Sequence, residues 1–165
     1  MSLLSEDKKR KGTMPLYQTF YRLAVQSNNV FMRKLYGAIC RYTGYLYHSE
    51  ISSLPEIGPG LYIGHPWCIT INGNAKLGKN CNLQKNVTIG QANRGSRQGC
   101  PIIGDNVWIG INATVVGRIK IGNDVLIAPN SYVNVDVPSH SVVFGNPCQI
   151  HHNDNATEAY IINTI

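Results

Sequence analysis

Residues 69–90 read ITINGNAKLGKNCNLQKNVTIG, and residues 102–133 read IIGDNVWIGINATVVGRIKIGNDVLIAPNSYV. Aligned on a period of six, Ile71, Leu77, Leu83 and Ile89 fall in one column, and Ile103, Ile109, Val115, Ile121, Ile127 and Val133 in another. Gly78, Gly90, Gly104, Gly110 and Gly122 follow the aliphatic residue, and Ala75, Cys81, Val87, Val107, Ala113 and Val125 stand two before it. A period of six suits neither a helix, at 3.6 residues, nor a plain strand, at 2. It suits a triangular prism, with one short strand per hexad and about three hexads per coil. The aliphatic residues point inward and stack from coil to coil, and the glycine stands where a side chain would obstruct the corner.

The column pattern resembles the hexapeptide-repeat acyltransferases, and residues 50–150 are most similar to their serine O-acetyltransferase branch. The resemblance implies a left-handed parallel β-helix, a homotrimer with active sites between neighbouring prisms, and acetyl-CoA as co-substrate. The hand comes from the family, since parallel crossovers in general favour the opposite one.

The 165 residues allow one domain with an appendage. Only 15% are charged, and the net charge is +6. Lys8, Lys9, Arg10 and Lys11 read as a solvated cluster without the aromatic interleaving of a nucleic-acid site, so a nucleic-acid partner is not expected. Arg94, Arg97, Arg118 and Lys120 would suit the phosphates of coenzyme A. The five cysteines lack CxxC spacing, the start lacks an apolar core, and no apolar run approaches membrane-spanning length. A reduced, cytoplasmic protein is the expectation.

Residues 1–14 read as a disordered tail and residues 15–49 as a helical segment. Leu16, Phe20 and Leu23 share one helical face, Phe31, Leu35 and Ile39 another, and Ser27–Asn29 mark a helix end and a new N-cap. The aromatic residues of this segment read as a packing face that caps the open end of the prism. The segment is much shorter than its counterpart in serine O-acetyltransferases, so a trimer is expected rather than their larger assembly. Ile103 stands fourteen positions after Ile89, two more than two hexads, so residues 91–100, QANRGSRQGC, read as an extruded loop. Residues 151–165 form a C-terminal tail, read as a short helix on the prism.

Counting back six from Ile71 places His65 in the inward column, where it reads either as a satisfied structural histidine or as a functional one. The run GLYIGHPWCITINGNAKLGKNCNLQKNVTIG, residues 60–90, resembles the serine O-acetyltransferase segment that carries the catalytic histidine, and His65 lands on it. The acidic partner fifteen positions earlier is Glu50. Such a dyad suits O-acylation: an imidazole takes the hydroxyl proton, and a carboxylate fixes its tautomer. A second family histidine falls on Cys100, the arginine that grips the serine carboxylate on Gly99, and an aspartate on Gly64. These departures predict a sugar or saccharide acceptor in place of serine, with serine O-acetyltransferase and a non-catalytic trimeric scaffold as alternatives.

Cys100 reads either as a thiol that carries the acetyl group or as a small packing residue. By resemblance, Trp108, Gly110, Ile111, Pro129 and Asn134 contact coenzyme A, and Gly145, Asn146 and Pro147 form the turn near the adenine. The histidines at 48, 65, 140, 151 and 152 lack the spacing of the three-histidine zinc site of the carbonic anhydrase-like branch, so no metal is expected.

Overall fold

A computed structural model describes residues 2–12, 14–52 and 54–165. Among the described residues three helices, α1 (Leu3–Lys9), α2 (Leu16–Gln26) and α3 (Val30–Leu46), precede a parallel β-solenoid of about five coils. The first coil contains β1 (Glu50–Ile51), β2 (Glu56–Ile57) and β3 (Tyr62–Ile63). The second contains β4 (Thr70–Ile71), β5 (Lys76–Leu77) and β6 (Asn82–Leu83). The third contains β7 (Thr88–Gly90), β8 (Ile102–Ile103) and β9 (Val107–Ile109), and the fourth β10 (Thr114–Val116), β11 (Lys120–Ile121) and β12 (Val125–Ile127). The last coil contains β13 (Tyr132–Val133) and β14 (Ser141–Phe144), against which β15 (Gln149–His152) turns back antiparallel.

The strands stack into three sheets, in the orders β1-β4-β7-β10-β13, β11-β8-β5-β2 and β15-β14-β12-β9-β6-β3. Register follows the columns: Ile71 lies beside Ile89, Ile89 beside Val115, and Val115 beside Val133. All ten column aliphatics are buried.

The glycines after the column residues act through contact between coils. A Cβ on Gly58 would stand 2.7 Å from the Gly78 carbonyl, one on Gly78 2.7 Å from the Gly104 carbonyl, and one on Gly104 2.8 Å from that of Gly122. One edge therefore stacks backbone on backbone. The left-handed corner conformation falls on Asn80, Asn86, Asn106, Asn112, Asp124 and Asn130, types that tolerate it. Their amides form ladders, Asn80 to Asn106 at 3.1 Å and Asn86 to Asn112 to Asn130.

Across residues 91–100 the count differs from the one read from the sequence. Leu77 pairs with Ile103, twenty-six positions on, which is one eighteen-residue coil plus eight. Ile89 to Ile103 is thus a single face-to-face step with eight residues inserted. The arm closes as a hairpin, with Ala92 and Gly99 exchanging two backbone hydrogen bonds of 3.0 Å.

The N-terminal segment caps the prism, by a different face of α2 and with more of the chain than the sequence suggests. Leu16 is exposed, and Tyr17, Gln18, Tyr21, Arg22 and Ala24 are buried. Polar residues occupy this face because the first coil supplies partners. Arg22 donates to the carbonyls of Ile57 and Gly58 at 2.7 Å, Gln18 to Leu61 O, and the Tyr17 hydroxyl to Pro66 O. Residues 3–9 of the expected disordered tail form α1, held because Asp7 accepts from the amides of Gly60 and Leu61 and from Arg22. Met1 and Thr13 of that tail lie outside the described residues. The Asn29 side chain caps α3 by accepting from the amides of Phe31 and Met32. The C-terminal tail begins with the antiparallel β15 and continues in turns rather than a helix.

Candidate active site

His65 lies on the edge of the prism between the third sheet and the first. The expected inward placement does not occur. Ile63 pairs with Leu83 and Ile71 with Ile89, so eight positions rather than six separate one inward residue from the next. The two extra residues push the corner outward. Pro66 O, which accepts from the Tyr17 hydroxyl at 3.1 Å and from Ser49 Oγ at 2.9 Å, anchors this corner, and Cys68 adopts a φ of 59°. Ile63 fills the inward site, and His65 is exposed without a hydrogen-bond partner for its side chain among the described residues.

Later coils place most of the predicted coenzyme A contacts on the same edge. Gly110 and Ile111 follow β9, Pro129 follows β12, and Gly145, Asn146 and Pro147 follow β14. A Cβ on Gly110 would stand 2.6 Å from Pro129 N, so these corners touch, and Ile111 O accepts from the amide of Asn130 at 2.9 Å. Gly145, at φ 93°, donates to Ser131 Oγ. Trp108 instead lies on the outer face of the third sheet, its ring 4.9 Å from that of Tyr160. Asn134 and Cys100 belong to the next edge, between the first and second sheets, with the hairpin arm.

Glu50, exposed on β1, accepts a hydrogen bond from Ser52 Oγ, and no hydrogen bond or ion pair joins it to His65. It lines a cleft of about 770 Å³ between α3 and β1, together with Arg33, Lys34, Arg41, Ser49 and Ser52. The sequence reading missed these three cations; their i, i+1, i+8 spacing on one helix was the available signal.

Cys100 Sγ lies 3.2 Å from Asn72 Oδ1 and 3.7 Å from Gln91 Oε1, and burial pushes its thiol up. Nothing in that setting favours a thiolate. Among the basic residues assigned to phosphates, Arg97 lies 3.6 Å from Asp136 and Arg118 donates to Ser96 O at 3.1 Å.

A profile described as "Bacterial transferase hexapeptide (six repeats)" matches residues 100–134. The serine acetyltransferase of Staphylococcus aureus is 31% identical over 156 residues, 90% of this chain and 73% of that protein. The chain belongs to the serine acetyltransferase family. Serine acetyltransferase 4 of Arabidopsis thaliana is 30% identical over 85% of this chain and 39% of its own. Among solved structures, the serine acetyltransferase of Brucella abortus superposes with a TM-score of 0.73 at 25% identity, over 83% of this chain and 56% of that one. The Neisseria gonorrhoeae enzyme gives 0.70 at 26%, over 90% and 56%. The chain thus spans about half the length of these solved serine acetyltransferases, and its fold is their left-handed parallel β-helix.

In this family member the C-terminal segment returns along the third sheet. Asp124 accepts from the amides of Ala156 and Thr157 and from the Thr157 hydroxyl at 2.6 Å. Asn82 donates to Tyr160 O, and Ile165 N donates to Asn80 Oδ1 at 3.2 Å. Thr157 stands twenty-four positions after Val133, the last column residue, so spacing gave no sign of its contact with Asp124.

Proposed function

We propose that the protein transfers the acetyl group of acetyl-CoA to an acceptor hydroxyl, with His65 as general base. The observation that carries this reading is the exposed imidazole, without a hydrogen-bond partner among the described residues, at the head of an edge whose later corners are Gly110, Ile111, Pro129 and Gly145. A donor laid along that edge brings its thioester toward His65. The imidazole takes the hydroxyl proton as the oxygen attacks the thioester carbonyl. The tetrahedral oxyanion collapses, the carbon–sulfur bond breaks, and the thiolate leaves with the proton from the imidazolium. Glu50 supports the imidazolium by exchanging its Ser52 contact for the ring. Cys100 takes no covalent part in this direct route. The unit is a cytoplasmic homotrimer, in which the hairpin arm of one prism meets the His65 edge of the next.

The family relatives make L-serine the first acceptor to consider, and a Neisseria gonorrhoeae structure at 29% identity and a TM-score of 0.67 is described as being in complex with serine. The position of the absent arginine supports this reading too. Arg118 passes its stem 3.1 Å from where a Cβ on Gly99 would stand, so a guanidinium remains at that loop to meet a carboxylate. A sugar hydroxyl is the second reading, favoured by Gly64: a Cβ there would stand 3.0 Å from Gln84 Oε1, so an amide, not an acid, flanks His65.

Release of free coenzyme A from acetyl-CoA, measured across L-serine and a panel of saccharides, tests both. Turnover with serine, its KM raised about tenfold or more by Arg118→Ala while that for acetyl-CoA stays unchanged, supports serine. Turnover with a saccharide alone assigns the second reading. Wild-type protein that neither binds acetyl-CoA nor releases coenzyme A with any acceptor overturns the enzymatic reading in favour of a scaffold.

A further inference from the structure

We propose that the outer face of α3 docks on an anionic lipid surface. Between Asp7 and Glu50 the sequence contains no acidic residue and eight basic ones. Arg10 and Arg22 are buried in the cap, which leaves Lys34 and Arg41 among the exposed cations of α3. Phe31, Leu35, Tyr42, Tyr45 and Leu46 are 72%, 41%, 69%, 73% and 61% exposed. At 100° per residue they share one arc of about 100°. Lys34 and Arg41 border that arc on one side, and Cys40, Thr43 and Gly44 point the opposite way, into the protein.

A contiguous aromatic stripe of this kind marks an interaction face. The charges beside it select the partner. In a two-fold contact between copies of this chain, residues of like sign would meet around the stripe, and Glu50, the carboxylate of the adjoining cleft, is outnumbered there by Arg33, Lys34 and Arg41. Anionic headgroups complement Lys34 and Arg41, and tyrosine suits the boundary between headgroup and acyl chain. None of the described helices is long and apolar enough to cross a membrane, so α3 lies on the surface, its apolar face inserted.

The test is sedimentation of the full chain with vesicles of phosphatidylcholine alone and of phosphatidylcholine mixed with phosphatidylglycerol, at low and high salt. The expected result is binding to the mixed vesicles that weakens with salt. Lys34→Glu with Arg41→Glu should weaken it about tenfold or more, given about fivefold per basic residue near such a surface. Tyr42→Ser with Tyr45→Ser should weaken it without changing the mass measured by light scattering. Circular dichroism melting verifies that each variant is folded, and either pair suffices if the other unfolds. Absence of binding to mixed vesicles, equal binding to neutral ones, or an oligomer that dissociates in the tyrosine variant overturns the proposal. The last outcome would assign the stripe to a second copy.

Discussion

Asp7 and Arg22 form an ion pair with both side chains fully excluded from solvent, Nε of Arg22 standing 2.7 Å from Oδ2 of Asp7. The pair closes a network in which the guanidinium also donates to Ile57 O and Gly58 O, and the carboxylate accepts from the amides of Gly60 and Leu61. The backbone carbonyls of Ile57 and Gly58 and the amides of Gly60 and Leu61, at the open end of the solenoid, are thereby satisfied. Asp7→Ala leaves a buried cation unpaired and should destabilise the protein by about 3–5 kcal/mol in a denaturant titration. Loss under 1 kcal/mol would mean that the cap is dispensable.

The stacked glycine edge makes an opposite pair of predictions for one substitution type. Gly104→Ala puts a Cβ 2.8 Å from Gly122 O and 2.4 Å from Asn123 Oδ1, and should cost about 1–3 kcal/mol. Gly37→Ala, inside α3 with nothing within 4 Å of the added carbon, should stabilise by about 0.5–1 kcal/mol. Thermal melts of the two proteins should move in opposite directions.

His65→Ala should lower turnover by about 10²–10⁴-fold while leaving acetyl-CoA affinity and the melting temperature near wild type. An exposed side chain contributes little to folding. A large fall in stability instead of activity would return His65 to a structural role.

Cys100→Ala should keep turnover within a few-fold of wild type, because the thiol lies between two amide oxygens and burial raises its pKa. Complete loss, or an acetyl group trapped on Cys100 in intact-mass spectrometry, would show a two-step route.

Burial works to raise the Asp124 carboxyl, but hydrogen bonds from Thr157, His140 and the Ala156 amide together hold it below its usual value of 3.8. A depressed folded-state value contributes stability that is fully present above 3.8 and lost as pH falls through the folded pKa. The C-terminal segment should therefore stay docked at neutral pH and detach in acid below that range. Asp124→Ala should detach it at neutral pH, detected as cleavage after residue 155 by limited proteolysis and as a change in Trp108 fluorescence when Tyr160 leaves.

The sequence by itself determined the coils. An inward aliphatic at every sixth position is a local property, and burial of Ile71 through Val133 enforces it wherever the chain is placed. A helix end and new N-cap within Ser27–Asn29, and a break in the repeat between Ile89 and Ile103, were legible for the same reason, since capping and the hexad count depend on near neighbours. Tertiary structure decided the rest. The count of six placed His65 inside, but the register of Ile63 with Leu83 absorbs two residues at that corner and turns the imidazole outward. Gln18 and Arg22 could be buried only because Asp7 and the first coil's carbonyls waited for them, and Phe31, Tyr42 and Tyr45 remain exposed because α3 packs with its other side. Periodicity reports which residues prefer to leave water. Which polar groups can follow them, and which apolar ones are left outside, depends on partners far away in the chain.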